Sequence, residues 1–364
     1  MGDRGRTTLI MLEKLKSALN VLGGFDLPIV HIAGSKGKGT VAFLLAKILE
    51  LNDKKTGLFT SPPIFENEEM ISINGVQIST EELKIMSQKV KNIDENLSEF
   101  EVLTLVAFLY FKEKNCDICV IECGLGGLND ATNIAENKLL TILTHVELEH
   151  ADVLGKTLTE ITKQKLGICR KGVPLITSKK QKKEVTDEIE ILDIKPVFAH
   201  EYELSNHNSE SSGIAITAGK ILGCKIDEFV ISELSKVIIP GRFEIIPFGP
   251  HKIILDGAHT FDSINYVLDL TNDYKKNNDF LDAKFCIHIL KDKDPNLWKL
   301  FPQKNTIWVP ITDERAGTCP SGLTAKTVQE VLSEIEQKKE PSLVVFVGSF
   351  RLVKNVKKEL VKLV

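Results

Sequence analysis

The chain has 364 residues, more than one hydrophobic core usually holds, which predicts two domains. Its composition, 43% hydrophobic and 26% charged, is typical of globular proteins, and its formal net charge of −4 gives no general attraction to nucleic acid or to an anionic membrane. No run approaches the roughly 20 uncharged apolar residues that a membrane span needs. The N-terminal segment turns charged too early for a signal peptide. These features predict a cytoplasmic protein with no nucleic-acid or membrane partner.

Apolar runs of strand length alternate with amphipathic segments through the first half of the chain. The runs lie at 27–33, 55–61, 117–124, 139–146 and 172–178. Helical patterns lie between them at 40–52, 80–93 and 100–114. This alternation predicts an α/β fold with a mostly parallel sheet and helices on both faces.

A second series of runs starts after the segment PGRFE at 240–244. Its members lie at 251–259, 284–290, 305–311 and 342–350. A polar stretch at 200–213 and a helical pattern at 214–223 precede it. We therefore expect a boundary near 236–241, with one domain over residues 1–238 and a smaller α/β domain over residues 239–364.

Seven cysteines at scattered spacing do not predict a disulfide framework. Cys116 and Cys119 form a CxxC pattern, but they fall in an apolar strand pattern with no second pair nearby. Buried, reduced thiols are the favoured interpretation, and a zinc or redox site is the alternative.

The segment GSKGKGT, residues 34–40, joins a strand pattern to a helix pattern. Its glycines let the backbone approach an anion, and its N–H groups converge beside the positive end of a helix dipole. Lys38 supplies a cation for a β- or γ-phosphate, and the Thr40 hydroxyl can ligate Mg²⁺. A glycine between these two residues departs from the standard P-loop spacing. The pattern predicts a nucleotide site at Gly34, Ser35, Lys36, Gly37, Lys38, Gly39 and Thr40, with Lys36 equally suited to solvent or phosphate.

Further short segments follow in a specific order: GLFTSPP, FEVLTLVAFLYF, IECGLGGLNDATN, LEHADVLG, KQKLGI, PGRFE, LDGAH and LKDKD. With them the chain resembles the ATP-dependent folylpolyglutamate synthase/dihydrofolate synthase family of the Mur ligase superfamily. The resemblance implies a P-loop Mur-ligase-type ATPase domain, a smaller Rossmann-like domain and a monomer. It also implies amide ligation, in which ATP phosphorylates a carboxylate and the amine of L-glutamate attacks the acyl phosphate. The acceptor would be a folate or dihydropteroate.

The resemblance also implies metal ligands. Thr40 and Glu122 would hold the Mg²⁺ or Mn²⁺ bound to ATP, and Ser61, Glu122 and His150 would form a second metal site. Hydroxyl, carboxylate and a single imidazole suit these ions better than zinc. Lys38, His150 and Lys165 would be catalytic, and Lys165 matches a lysine that the family carbamylates.

The second domain contributes three more residues by the same resemblance. Arg242, Asp256 and His259 match positions that close over the nucleotide. Arg242 would neutralise phosphate charge, since a guanidinium suits phosphate oxygens. Asp256 would accept from the ribose hydroxyls or orient the phosphate-binding groups. Domain closure is therefore expected to assemble the site.

Several usual residues of the family are replaced. Pro63 stands where a histidine is usual, and Met70 and Leu128 stand where arginines are usual. After LDGAH an Asn-Pro pair is replaced by Thr260 and Phe261. A His-Gln-x-x-Asn segment keeps the histidine and changes the other two residues, as His207, Asn208 and Ser211.

Because carboxylate substrates pair naturally with arginine, ATP-driven ligation is better supported than folate as the substrate. A ligase for another carboxylate and a nucleotide-binding paralog without ligase activity stay open as alternatives. A P-loop kinase or GTPase is a further alternative, against which the PGRFE and DGAH segments argue. The sequence does not distinguish dihydrofolate synthesis from lengthening of a glutamate tail.

Overall fold

The computed structural model describes residues 3–204 and 208–362. The chain divides into two compact units, Met1–Val237 and Ile238–Val364. In the described residues, no helix is long and apolar enough to cross a membrane.

The first unit is built on an eight-stranded sheet. Its strands are β1 (Ile29–Ala33), β2 (Thr56–Phe59), β3 (Ile71–Ile73), β4 (Val76–Gln77), β5 (Ile118–Glu122), β6 (Lys138–Leu143), β7 (Leu175–Ser178) and β8 (Pro196–Ala199). Its helices are α1 (Asp3–Val21), α2 (Lys38–Glu50), α3 (Thr80–Lys91), α4 (Glu99–Glu113), α5 (Ala151–Leu154), α6 (Leu158–Leu166), α7 (Lys183–Ile191), α8 (Ser209–Ile221) and α9 (Glu228–Leu234). The strand order is β4-β3-β2-β5-β1-β6-β7-β8.

The six strands β2, β5, β1, β6, β7 and β8 run parallel to one another. The β2–β3 pair and the β3–β4 pair are antiparallel. The sheet separates two apolar layers, one containing Phe108 of α4 and the other containing Leu45 of α2 and Ile214 of α8. Parallel strands covered on both faces consist of continuous apolar residues, as β1 and β5 do. The predicted parallel-rich α/β fold is thus confirmed.

Strand β1 lies between β5 and β6 at the middle of this sheet. The connection from β1 leads to β2, on one side of β1 in the sheet. The connection from β5 leads to β6, on the opposite side of β1. Open α/β sheets bind ligands at the carboxyl ends of strands where the connections diverge in this way. The fold therefore directs attention to the segments that follow β1, β2, β5 and β6.

The second unit has a six-stranded sheet. Its strands are β9 (Glu244–Phe248), β10 (His251–Asp256), β11 (Ala283–Ile287), β12 (Thr306–Trp308), β13 (Thr324–Ala325) and β14 (Leu343–Val347), and its helices are α10 (Phe261–Asn277), α11 (Val328–Glu336) and α12 (Phe350–Val361). The order is β13-β12-β11-β14-β10-β9, and only β9 is antiparallel. Its core contains Ile254, Phe285, Trp308 and Val345.

Helix α8 begins within the stretch that the sequence predicts to be polar and irregular. It starts at Ser209 rather than at 214, because the Asn208 side chain accepts a hydrogen bond from the Ser211 backbone N–H (3.0 Å) and caps the helix. All seven cysteines are free, and Cys116 and Cys119 are buried, as the favoured interpretation expected.

Candidate active site

The glycine-rich segment forms the turn between β1 and α2. Gly34 has φ 148° and Gly37 has φ 85°, values that side chains disfavour. A Cβ atom on Gly34 would lie 1.9 Å from the Thr144 hydroxyl oxygen, and one on Gly37 would lie 2.6 Å from the Ser211 hydroxyl oxygen. The turn therefore requires glycine at both positions, and it ends at the positive N-terminus of α2.

Lys38, the first residue of α2, places its cation on this turn. Its ammonium donates hydrogen bonds to the carbonyl oxygens of Gly34 (3.1 Å) and Ser35 (3.4 Å). Those carbonyls hold a half-buried cation beside backbone N–H groups that suit an anion. The arrangement can bind a phosphate group.

The segment after β6 braces the same turn. The backbone N–H groups of Ser35 and Lys36 both donate to the carbonyl of His145, at 2.8 and 3.1 Å. The Ser35 hydroxyl accepts from the Glu147 backbone N–H at 3.0 Å. The Lys36 ammonium lies 2.7 Å from the Glu147 carboxylate and is mostly buried, so Lys36 is not the solvated side chain that one interpretation expected.

The Glu122 carboxylate, at the end of β5, is 3% exposed and lies beside the turn. It accepts a hydrogen bond from the Ser61 backbone N–H (3.1 Å), and a Cβ atom on Gly39 would lie 3.5 Å from the same carboxylate. Ser61 follows β2 and forms a cis peptide bond with Pro62. The structure thus brings Ser61, Glu122 and Gly39 together.

Glu122, Ser61 and Thr40, the residue after Gly39, carry one carboxylate and two hydroxyl groups, which are ligand types of hard divalent cations. In the residues that the structure describes, no group of three or more His, Cys, Asp or Glu side chains is placed to hold a metal ion. An ion that completes its shell with phosphate oxygens and water, as Mg²⁺ does, fits this donor set. A zinc site does not fit it.

Lys165 of α6 is 1% exposed, and its side chain reaches the start of the glycine turn. Its ammonium donates to the carbonyl of Gly34 (2.8 Å) and to the Glu149 carboxylate (2.9 Å). Burial lowers the pKa of Lys165, and Glu149 opposes that shift. Burial alone would raise the pKa of Glu149, but Lys165 and Lys38 bring the pKa of this carboxyl below its ordinary value.

Glu149 is a site residue that the sequence reasoning missed, although it stands next to His150 in the chain. His150 itself is exposed, has φ 48° and precedes α5. One sequence feature could have identified Glu149: it is an acidic residue in the segment ELEHAD, which follows a buried strand.

The loop after β5 is fixed against α6. The buried Asp130 carboxylate accepts from the backbone N–H groups of Leu125 (2.8 Å) and Thr132 (3.0 Å), while burial raises its pKa. The Leu128 N–H donates to the Gln164 carbonyl (2.7 Å). The Gly124–Gly127 turn is therefore held beside α6, the helix that carries Lys165.

In the second unit, Asp256 connects two loops. Its carboxylate accepts from the backbone N–H groups of Phe243 and Ala258, each at 2.7 Å; burial raises its pKa, and Arg242 opposes the shift. Each carboxylate oxygen accepts one backbone N–H, so Asp256 ties the loop before β9 to the loop after β10. Arg242 is exposed, and its guanidinium carbon lies 4.4 Å from the Phe350 ring centroid.

His259 lies in the same unit, and its Nδ1 donates to the Gly257 carbonyl at 2.8 Å. Of the two substituted residues that follow it, only Thr260 has a visible structural role. Thr260 caps α10, with its hydroxyl accepting from the Ser263 N–H, and Phe261 is 59% exposed.

The two positions where the resemblance would place arginine differ in environment. Met70 is 3% exposed and packs in the apolar layer that contains Phe108, whereas Leu128 is 45% exposed. Neither can pair with a carboxylate. His207 lies outside the described residues.

The chain is similar to known proteins in sequence and in fold. The family model of the Mur ligase middle domain matches residues 32–216, about half of the chain. The chain is 31% identical over 281 residues to the dihydrofolate synthase/folylpolyglutamate synthase of Bacillus subtilis (strain 168), covering 64% of this chain and 65% of that protein. It is 31% identical over 292 residues to the protein of the same name from Buchnera aphidicola subsp. Baizongia pistaciae (strain Bp), covering 72% and 67%. The chain thus matches about two thirds of the length of these relatives.

A solved structure described as the apo form of L. casei FPGS has 25% identity and a TM-score of 0.79, with 96% of this chain and 95% of that chain covered. The family model places the chain in the Mur ligase class. Within that class, the chain belongs to the dihydrofolate synthase/folylpolyglutamate synthase family.

Proposed function

We propose that this chain is an ATP-dependent carboxylate–amine ligase that adds L-glutamate to a folate, to dihydropteroate, or to both. The observation that carries the proposal is the convergence of Lys38, Lys165 and Glu122 on the glycine turn of residues 34–40. Lys38 offers a cation to phosphate at this turn, and Glu122 offers a buried carboxylate beside Ser61. The names of the relatives support the substrate class.

The reaction has two steps. An oxygen of the acceptor carboxylate bonds to the γ-phosphorus of ATP while the bond to the β–γ bridging oxygen breaks and ADP leaves. The amine of glutamate then bonds to the acyl carbon and gives up a proton, and inorganic phosphate leaves with one oxygen that came from the carboxylate.

The residues of the chain meet the demands of these steps. Backbone N–H groups of the turn and the Lys38 ammonium bind the phosphates and stabilise the charge that moves during transfer. Thr40, Ser61, Glu122 and His150 would hold Mg²⁺ or Mn²⁺, which neutralises phosphate charge when bound. Glu149 keeps Lys165 directed at Gly34, through its 2.9 Å contact with the unmodified lysine.

We also propose that Lys165 is carbamylated in the active enzyme. Burial lowers the pKa of this lysine and so enlarges the neutral amine fraction, which is the form that reacts with carbon dioxide. Incubation with ¹³C-labelled bicarbonate should give a carbamate carbon signal that is lost in Lys165→Arg, with Lys163→Arg on the exposed side of the same helix as the control. A signal unchanged in Lys165→Arg would contradict the assignment.

The second unit would supply Arg242 to the phosphates, with Asp256 and His259 shaping its loops. We propose that the enzyme is a monomer and works in a reducing, cytoplasmic compartment, which its seven free cysteines suit.

The test is ADP release with ATP, Mg²⁺ and L-glutamate, with dihydropteroate and tetrahydrofolate offered separately. ADP release that requires an acceptor and is lost in Lys38→Ala would establish the ligase and distinguish the two folate activities. Lys54→Ala, an exposed lysine just beyond α2, is the control. ATP binding without turnover on either acceptor would contradict folate ligation.

A second candidate function is ligation of a carboxylate that is not a folate. It is favoured by the burial of Met70 and the apolar character of Leu128. ADP release with another acid and with neither folate acceptor would select it.

A further inference from the structure

The second unit presents Arg242 on a strained turn just before β9. The residue before it, Gly241, has φ 63°, and the residue after it, Phe243, has φ 45°. A left-handed conformation is unusual for a bulky aromatic residue and persists only where the surroundings impose it. Here the loop after β10 does so. Asp256 accepts from the Phe243 N–H, and the Gly257 N–H donates to the Gly241 carbonyl at 2.9 Å. The backbone is therefore fixed on both sides of Arg242.

The side chain of Arg242 lies over an aromatic ring from a third segment. Its guanidinium carbon is 4.4 Å from the centroid of the half-buried Phe350 ring, in the first turn of α12. That ring in turn covers Gly257, where a Cβ atom would lie 2.8 Å from three of the ring carbons. Only glycine lets the ring lie this close to the backbone. The loop after β10 thus sets the position of the ring as well as that of the turn.

An aromatic ring and a carboxylate hold a guanidinium in different ways. A carboxylate accepts hydrogen bonds from the N–H groups, which lie in the guanidinium plane. The face of a ring attracts the delocalised charge and accepts no N–H···O hydrogen bond. Phosphate oxygens bind to the same in-plane fork of N–H groups. Contact with Phe350 therefore restricts the rotamers of an exposed, flexible side chain and leaves its fork for phosphate.

We infer that Phe350 is a positioning residue for Arg242: its ring, seated on Gly257, holds the guanidinium in the orientation that phosphate transfer requires. This inference rests on the proposed function, in which Arg242 neutralises phosphate charge, and adds the residue that orients it. A side chain that is already held in place loses less conformational entropy when phosphate binds. Phe350 acts through Arg242 alone.

Nuclear magnetic resonance of the full chain tests the contact without reference to turnover. In protein labelled with ¹³C,¹⁵N-arginine, the Arg242 side-chain signals are those that disappear in Arg242→Lys. The ring current of Phe350 should shift them upfield, and Phe350→Tyr, which keeps a ring, should keep that shift. Phe350→Leu keeps an apolar side chain over Gly257 and should move the signals to the position of an exposed arginine. Signals at the same position in Phe350→Leu and the unmodified chain would overturn the inference.

The kinetics of ADP release test the consequence. Phe350→Leu should lower kcat by about two- to fivefold, the size of an exposed cation–π contact, and leave KM for ATP unchanged. Phe350→Tyr should restore kcat. Phe280→Leu is the matched control, since Phe280 is also half-buried and stacks on Tyr274 in the same unit. It should lower Tm without lowering kcat. Equal kcat in Phe350→Leu and Phe280→Leu would reduce Phe350 to a packing residue and overturn the inference.

A double variant shows whether Phe350 acts through Arg242. In an Arg242→Gln background, Phe350→Leu should cause no further loss of kcat, because a positioning residue has no effect once its partner is removed. Losses that multiply in the double variant would overturn the inference. A kcat unchanged by Arg242→Gln, with the ring-current shift present in the unmodified chain, would instead contradict the proposed role of Arg242 in phosphate transfer.

Discussion

Two buried lysines in the first unit are stabilised in different ways. Lys165 has a carboxylate partner, Glu149, beside the glycine turn of residues 34–40. Lys138, 5% exposed at the start of β6, donates instead to the Asn133 side-chain oxygen (2.6 Å) and to the Ile168 carbonyl (2.9 Å). Burial, followed by repulsion from Arg170, lowers the pKa of Lys138 to about 7.

This shift makes stability depend on pH in a defined direction. Unfolding restores the ordinary pKa of Lys138, so between about pH 7 and pH 10 the unfolded chain binds more protons than the folded chain. The free energy of unfolding therefore rises with pH across that window, and this gain is lost as the pH falls towards 7. Between pH 7 and 9 the gain is about 2 kcal/mol.

Lys138→Met should remove this contribution. The difference in unfolding free energy between the variant and the unmodified chain, from urea titrations at pH 7 and pH 9, should shift by about 2 kcal/mol against the variant at the higher pH. Lys171→Met, which changes an exposed lysine, should show no such shift. A difference independent of pH would contradict the lowered pKa.

At the scale of residues, sequence alone predicts side chains whose chemistry is tied to a local pattern. Lys38 and Thr40 follow from the glycine turn, and Glu122 follows from the family resemblance. Glu149 and Asp130 act through contacts with Lys165 and with the backbone of Leu125, at sequence separations of 16 and 5. Such contacts depend on packing, and no local pattern encodes them.

Among the elements, the turn between β1 and α2 is the one on which the proposed nucleotide binding depends. Gly37 has φ 85° and the Ser211 hydroxyl close by, whereas Gly172 has φ 82° and no atom within 4 Å of the position that a Cβ atom would take. The two glycines carry nearly equal backbone strain and differ in their surroundings.

Gly37→Ala and Gly172→Ala should therefore lose similar stability from the backbone, about 1 kcal/mol. Only Gly37→Ala should also weaken ATP binding, by about tenfold or more, since its methyl group enters the space beside the turn. Calorimetric titration with ATP and thermal unfolding of both variants separate the two effects. Equal ATP affinity in the two variants would place the phosphates elsewhere.

At the same scale, sequence predicts the buried parallel strands and misses the short edge strands. Strand β4 has both residues exposed and β8 has two of four exposed, so neither is an apolar run. The start of α8 is missed because its first turn consists of Ser and Glu and depends on the Asn208 cap.

For the molecule as a whole, the proposal requires that the second unit contribute Arg242 to phosphate transfer. Arg242→Lys keeps the charge but loses the planar fork that suits phosphate oxygens. It should lower kcat for ADP release by about tenfold or more. Arg351→Lys, which alters the exposed arginine paired with Asp313 in the same unit, should leave kcat near that of the unmodified chain. An unchanged kcat in Arg242→Lys would remove Arg242 from the mechanism.

The central claim is that the phosphate bound at the glycine turn activates a carboxylate. The most direct measurement uses dihydropteroate labelled with ¹⁸O in its carboxylate, with ATP, Mg²⁺ and L-glutamate, and analyses the products by mass spectrometry. The acyl-phosphate route predicts one ¹⁸O in each inorganic phosphate released, together with ADP. Amide product formed with unlabelled inorganic phosphate would contradict that route.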